Sequence, residues 1–482
     1  MKSANINTDE FRDHLSNVTD TGKRIWIYPR IVKGQLYKLR TYFSWLLLGL
    51  LFGIPFIEVD GNPLFLFNVL ERKFIFFGVT FFPQDFHLVA FGLLTFIVFI
   101  ILFTVIFGRV WCGWACPQTI FMEMLFRKIE VWIEGDYKAQ KRLDEAPWTT
   151  EKILKKTAKH IIFFIISFLI ANTFLAYIIG KHDLLAIMTD NPLNHITGLV
   201  SIVIFTFVFY FVFAKFRELV CIVVCPYGRL QGVLLDKKSI IVAYDFIRGE
   251  PRGKLKKETK DDRNPLAELQ ALTKPVENKG HCIDCSICVQ VCPTGIDIRN
   301  GTQLECIGCT ACIDACDEVM EKVKQPKGLI RYASLDGIEK SEKLSFNLRI
   351  GAYTAVLTLL LGILGYLLLT RNEVETTLLR TPGLTYQEEK GGGVSNLYNI
   401  EILNKSRESM PVSIRVVDYP SAVVKLIGKP LQLTKGEITK GSFFIVIPKK
   451  DMENPNLKLK VELISGNEVI DQVKTSFLGP ME

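Results

Sequence analysis

Five stretches of this chain are apolar and long enough to cross a bilayer as helices, which restricts what the rest of it can be. A hydrocarbon core of about 30 Å needs roughly 20 apolar residues per helix. The runs Thr41–Ile57, Leu88–Phe107, Ile161–Ile179, Ile196–Ala214 and Ile350–Thr370 meet that need. A sixth run, Leu64–Phe82, carries Glu71, Arg72 and Lys73 at its centre. Three charges at mid-bilayer would cost several kcal/mol, so this stretch is expected to be interfacial or re-entrant. The chain has 482 residues, 49% of them hydrophobic, and a formal net charge of +8. The positive excess lies in loops beside the apolar runs, as membrane orientation requires, and no basic motif interleaved with aromatics argues for DNA or RNA. No nucleic-acid partner is expected; the bilayer is.

Loop charge sets the sides. Gly108–Lys159 carries ten Lys and Arg, Gly180–His195 one and Glu58–Asp85 two. The richest loop belongs on the cytoplasmic side. The N-terminus and the insert Lys215–Asn347 then lie on that side too, and the C-terminal region on the other. The expected parts are a cytoplasmic segment (1–40), a membrane domain with four spans (41–230), a cytoplasmic insert (231–347), a fifth span (348–370) and an outer domain (371–482). In that last part short alternating stretches (Leu397–Leu403, Val412–Val417, Ser442–Ile447, Leu457–Leu463) are separated by Gly, Pro and Asn turns. That pattern predicts a small antiparallel sandwich. The fold class is therefore a polytopic helical membrane domain with an insert and a C-terminal all-β, Ig-like sandwich.

All twelve cysteines fall in four clusters. Two are Cys282-x2-Cys285-x2-Cys288-x3-Cys292-Pro293 and Cys306-x2-Cys309-x2-Cys312-x3-Cys316. Three thiolates from one tight loop reach three corners of a cube, and the fourth cysteine of each run ligates the other cluster. The insert thus reads as a bacterial-type ferredoxin module (about 275–325) holding two [4Fe–4S] clusters. Cys282, Cys285, Cys288 and Cys316 would ligate one, and Cys306, Cys309, Cys312 and Cys292 the other. Asp317 stands where the bacterial pattern has a second proline. Zinc sites do not need this run twice over, and cysteines confined to one side of the membrane suggest the reducing side, where disulfides are rare.

The other two clusters form a weak internal repeat: Phe107-Gly-Arg-Val-Trp-Cys-Gly-Trp-Ala-Cys-Pro117 and Phe216-Arg-Glu-Leu-Val-Cys-Ile-Val-Val-Cys-Pro226. Each C-x3-C-P follows a span at the same level. Cys112, Cys116, Cys221 and Cys225 are read as a redox or metal site, with buried structural cysteines as the plain alternative. Soft thiolates prefer Cu(I), which raises the potential of bound copper. A third cluster fits the ligand count nearly as well, and a thiol–disulfide switch is a further option. The stretch after Pro117, with Ile120, Met124, Phe126, Ile129 and Ile133, is expected to lie along the membrane surface. Among the histidines, only His281, beside Cys282, is placed to tune a cluster through hydrogen bonding.

With these motifs in place, the chain resembles the cytochrome c oxidase accessory family called CcoG, FixG or RdxA over nearly its whole length. The resemblance rests on both C-x3-C-P motifs, the double ferredoxin run, the late fifth helix and the region opening at Leu397-Tyr-Asn-Ile-Glu-Ile-Leu-Asn-Lys-Ser406. The first half is also similar to polyferredoxin membrane subunits of periplasmic nitrate and nitrous oxide reduction, which lack a comparable outer sandwich. The resemblance implies a multi-pass protein of the bacterial inner membrane, with its sandwich in the periplasm. It implies reduction of Cu(II) to Cu(I) for the copper site of a cbb3-type oxidase, with oxidase assembly factors or copper chaperones as partners. The electron donor is not indicated, since no nucleotide-binding fingerprint is visible. The alternatives are a quinol-linked electron-transfer subunit and a scaffold without redox chemistry.

Overall fold

The computed structural model describes residues 17–480 except 20, 60, 71, 255–279, 341–347, 384, 390–391, 407, 453 and 467. Among the described residues, five helices are long and apolar enough to cross a bilayer: α1 Gln35–Gly53, α2 Phe86–Phe107, α3 Thr150–Ile179, α4 Ile196–Phe211 and α5 Leu348–Leu369. Most of each apolar window faces outward, and α5 buries no residue at all, which is the burial expected of lipid-facing helices.

The first and third helices begin earlier than their apolar runs, at Gln35 and Thr150. Their polar first turns are stabilised by local pairing. In α3, Lys152 Nζ donates to the carbonyls of Asp144 and Ala146 at 2.9 and 2.6 Å. Lys156 meets Glu134 at 2.9 Å, and Lys159 meets Glu134 at 2.7 Å and Glu130 at 3.3 Å. Hydropathy registers these lysines as polar and cannot see the carboxylates that compensate them.

Two compact units emerge, which cut across the linear parts expected from the sequence: Met1–Ile57 with Phe91–Leu361, and Glu58–Ala90 with Gly362–Glu482. In the first, α3 and α4 pack against the inner helical stretch Pro117–Glu134. That stretch runs through a wide π-type turn, Phe121–Phe126. Its apolar side was expected to rest on the membrane surface. Instead Ile120, Met124 and Phe126 are 3%, 2% and 1% exposed, in one cluster with Leu48, Phe163 and Phe213. Phe126 stacks on Phe213 at 4.6 Å and meets Phe163 edge-on at 4.8 Å. These ring pairs add to the apolar area they bury.

An N-terminal strap ties this core to the cysteine-rich insert. Trp26 lies between the guanidinium groups of Arg24 and Arg217, at 4.3 and 4.7 Å. Arg24 pairs with Glu218 at 2.6 Å, and Tyr28 OH donates to Asp144. Further on, Arg30 N donates to Gln290 O at 2.9 Å, and Val32 packs with Val291 and Ala315. The strap then enters α1. Gly34, at its N-cap, has no side chain to accept the first N–H groups, and a Cβ there would overlap Asp314. Asp314 does the capping from a distance: its carboxylate accepts from Leu36 N at 3.3 Å and Tyr37 N at 2.7 Å.

The second unit holds the sandwich. One sheet has the order Val423–Ile427, Ile438–Pro448, Gly393–Asn404, Val374–Arg380; the other is Ser413–Val416, Asn456–Ser465, Glu468–Leu478. Alternating residues Tyr398, Ile400, Phe443, Ile445, Val461 and Phe477 fill the space between them. Tyr398 OH, at the centre, donates to Ser476 O at 2.7 Å. The charged run Leu64–Phe82 does not span. It forms a three-stranded antiparallel meander, Phe65–Asn68, Lys73–Phe76 and Val79–Phe81, within this same unit. Asp85 joins it to the sandwich, accepting from Lys405 at 2.7 Å and Arg371 at 2.8 Å, while Arg371 also lies 4.6 Å over the Phe81 ring.

Candidate functional site

The two cysteine runs fold alike. Each places left-handed residues either side of its second cysteine: Asp284 and Ser286 at φ 51° and 55°, Gly308 and Thr310 at 67° and 65°. A helix follows in each case, Ile287–Gln290 and Ala311–Lys322. Such turns gather successive N–H groups into a concavity that suits an anionic cluster. In the first run the non-glycine strain is held by Arg299, which donates to Asp284 at 2.6 Å and to Asp297 at 2.7 and 2.8 Å. Sequence reasoning missed Arg299; a lone basic residue after the last ligand gives no periodic signal. Asp317, in place of proline, accepts from Gly328 N at 2.8 Å and so pins the turn beyond the second helix.

The eight thiols gather closely. Cys316 sits in the field of Cys288, Cys285 and Cys282; Cys312 sits in that of Cys309, Cys306, Cys292 and Cys288. Burial pushes Cys288 and Cys316 up to about 12, and Cys306 and Cys309 up to about 11, with neighbouring thiolates adding to the rise. Four thiolates crowded into an apolar site need a cationic centre to form. Cys288, Cys292, Cys306, Cys309 and Cys312 line a small cavity walled by Ile296, Ile298 and Ile307. Among the described residues, no three Cys, His, Asp or Glu side chains converge tightly enough to hold one metal ion. A cubane spreads its sulfur ligands over four irons and does not require that convergence. Among the described residues, the buried His281 ring Nδ1 has no hydrogen-bond partner.

The repeat seen at the membrane edge holds at the level of the backbone. Four residues before the first cysteine of each pair, Gly108 and Arg217 adopt φ 56° and 49°. Each pair is then closed by the same wide turn: Cys116 N donates to Trp111 O at 3.0 Å, and Cys225 N to Val220 O at 2.8 Å. Cys116 and Cys225 cap helices that open with Pro117 and Pro226. The alignment pairs Arg217 with Gly108, so Arg109 and Arg217 are not equivalent positions of the repeat.

The halves face each other through reciprocal contacts. Cys112 Sγ donates to Gln231 Oε1 at 3.2 Å, and Cys221 is hydrogen-bonded to Thr119. Arg109 donates to Gly228 O, and Gln118 Nε2 to Arg217 O at 3.4 Å. Cys221 feels Cys116, Cys112 and Cys225 at once; burial first, then these neighbours, push it up to about 12. Cys112 is pushed up to about 12 in the same way. All four cysteines are thus brought to one place.

That place adjoins the second ferredoxin set, backbone against backbone. A Cβ on Gly113 would stand 2.5 Å from Gly308 O, so only glycine fits between the pair Cys112/Cys116 and the loop Cys306–Cys309. Arg40 Nε donates to Gly113 O at 2.7 Å, Trp114 Nε1 to Tyr332 OH at 3.1 Å, and Arg109 to the carbonyls of Leu304 and Cys306.

Family profiles agree with this layout. One described as a 4Fe-4S dicluster domain matches residues 216–335, one described as a 4Fe-4S binding domain matches 89–138, and one described as an IG-like fold at the C-terminal of FixG matches 364–480. Among curated relatives, RdxB of Cereibacter sphaeroides is 35% identical over 476 residues, covering 93% of this chain and 95% of that one. Nitrogen fixation protein FixG of Rhizobium meliloti is 32% identical, covering 89% and 87%. RdxA of C. sphaeroides is 36% identical over 401 residues, covering 79% and 80%.

Proposed function

This chain belongs to the FixG/RdxA family of membrane-associated iron–sulfur oxidoreductases, and from that premise we propose that it reduces Cu(II) to Cu(I) for the copper site of a cbb3-type oxidase. The observation that carries the reading is the contact of Gly113 with Gly308, which sets a thiolate-rich site against a ferredoxin ligand loop. When bound, the two clusters would supply single-electron storage. Cys282, Cys285, Cys288 and Cys316 would hold one, and Cys306, Cys309, Cys312 and Cys292 the other. Arg299 keeps the first loop wound, the isoleucine walls exclude water, and Arg109 spans the gap between Cys306 and the membrane-edge cysteines. Copper is the substrate: Cu(II) takes one electron beside Cys112, Cys116, Cys221 and Cys225 and leaves as Cu(I). The electron comes from a cytoplasmic one-electron donor.

The test uses full-length protein in detergent, reduced with dithionite, freed of excess reductant and mixed with Cu(II) and a Cu(I)-specific chelator. One Cu(I) should form per electron lost from the clusters. Clusters that stay reduced with Cu(II) but are oxidised by a quinone would replace this reading with the quinol-linked one.

The protein is proposed to lie in the bacterial inner membrane with the ferredoxin module cytoplasmic and the sandwich periplasmic. The ten Lys and Arg of Gly108–Lys159 support that orientation. So does the grouping of Glu58–Ala90 with the C-terminal domain, since both must then be on one side. A reporter active only outside should work after Glu482, and one active only in the cytoplasm should work between Lys254 and Lys274. Both fusions reporting the same side would defeat the topology.

A further inference from the structure

We propose that Cys112, Cys116, Cys221 and Cys225 are the four ligands of a third [4Fe–4S] cluster, shared between the two repeated halves. The inference rests on reading these cysteines as a redox site and specifies what that site holds.

The first argument is number and symmetry. Each half contributes two sulfurs from the same wide turn, and the reciprocal contacts of Cys112 with Gln231 and of Cys221 with Thr119 turn the two pairs toward one point. Neither half is sufficient: the 4Fe-4S binding profile over residues 89–138 includes only Cys112 and Cys116, and a cubane of this kind takes four thiolates. The second half supplies the missing two. Helix Pro226–Leu234 is brought close for this by Gly228, where a Cβ would stand 2.7 Å from Cys221 O.

The second argument is spacing. One zinc or copper ion draws its sulfurs to about 2.3 Å from a single centre. Among the described residues no group of three or more Cys, His, Asp or Glu side chains could hold one metal ion, these four cysteines included. A cubane spreads its four sulfur ligands over four irons and makes no such demand.

The third argument is local chemistry. Cys116-Pro117 and Cys225-Pro226 repeat the dipeptide Cys292-Pro293 that closes the first ferredoxin run. The Arg109 guanidinium lies beside both Cys112 and Cys306, where it offsets the negative charge of two adjoining thiolate sets. A cubane here gains or loses one electron, and no bond between protein atoms forms or breaks. Copper would then be reduced beside the quartet without being ligated by it.

The experiment is an iron and acid-labile sulfide determination on full-length protein purified without oxygen, alongside the double variants Cys112→Ser/Cys116→Ser and Cys221→Ser/Cys225→Ser. The parent should hold about twelve irons and twelve sulfides, and each variant about eight, with one reduced-cluster EPR signal lost. Retention of eight irons shows that the ferredoxin module still folds. A parent with about eight irons, unchanged in both variants, overturns the proposal. If the quartet then binds copper and copper reduction persists in the parent, the proposed function survives without the third cluster. Twelve irons with no copper-dependent oxidation would do the reverse.

Discussion

Cys309→Ser should lose about four irons and four sulfides per chain relative to the parent, measured on anaerobically purified protein. Cys309 is proposed to act with Cys292, Cys306 and Cys312; its loop packs against Gly113, and its thiol lies within the field of Arg40. Metal binding at such a site is also folding energy, so the loss should not stay local. The loop Cys306–Cys309 would no longer be held against the turn that presents Cys112 and Cys116. Cys285→Ser should lose a similar amount of iron with less damage, because Cys285 is exposed while Cys288 beside it is buried. Thermal unfolding of the two variants in detergent should therefore rank Cys309→Ser below Cys285→Ser. Full iron in Cys309→Ser, or zinc bound in place of iron from iron-replete cells, would remove the two-cluster assignment.

The second large effect is expected at Glu130. Its carboxylate is 3% exposed and faces Arg217 at 2.8 Å and Lys159 at 3.3 Å, both also buried. Truncating one partner of a buried ionic group leaves the other charges uncompensated, at a cost of about 3–5 kcal/mol. Glu130→Ala should thus lower the unfolding midpoint in detergent by several degrees, and Glu130→Gln, which keeps the shape, by less. The site should respond as well, because Arg217 is the left-handed residue four positions before Cys221. Burial pushes the Glu130 carboxyl up, but Arg217 and Lys159 outweigh it and hold it below the usual carboxylate range. A carboxyl lowered in the folded state contributes stability above its unfolded value of about 4.3, and that contribution disappears as pH falls through the folded value. The acid side of the parent's stability profile should flatten in Glu130→Gln. An unchanged midpoint in Glu130→Ala would show that the triad is idle.

Much of this architecture was legible because it depends on composition and spacing. The five apolar helices and the 4Fe-4S domain need only apolar length and cysteine intervals, and neither depends on distant partners. The sandwich strands at Leu397–Leu403 and Leu457–Leu463 alternate cleanly, so their inward faces could be read. Val374–Arg380, Val423–Ile427 and Glu468–Leu478 carry mixed polar patterns and were not picked out. In Leu64–Phe82 the charges excluded a span, but Phe65/Phe67, Phe74/Phe76 and Val79/Phe81 already alternated in the manner of short strands. The inner helix after Pro117 showed an amphipathic face without showing what it met; Phe163 and Phe213 lie far along the chain. Long-range polar contacts were the least visible. Nothing in the sequence links Arg109 to Leu304, Arg40 to Gly113, or Asp314 to the start of α1.

That last contact orders the biogenesis of the molecule. The carboxylate that caps α1 belongs to a residue 278 positions beyond Leu36. On the ribosome, the first helix is threaded into the bilayer long before its own cap has been synthesised. Asp314 sits on Ala311–Lys322, between Cys312 and Cys316. Until that helix has been synthesised and packed in place, the leading N–H groups of α1 lack the carboxylate that accepts from them.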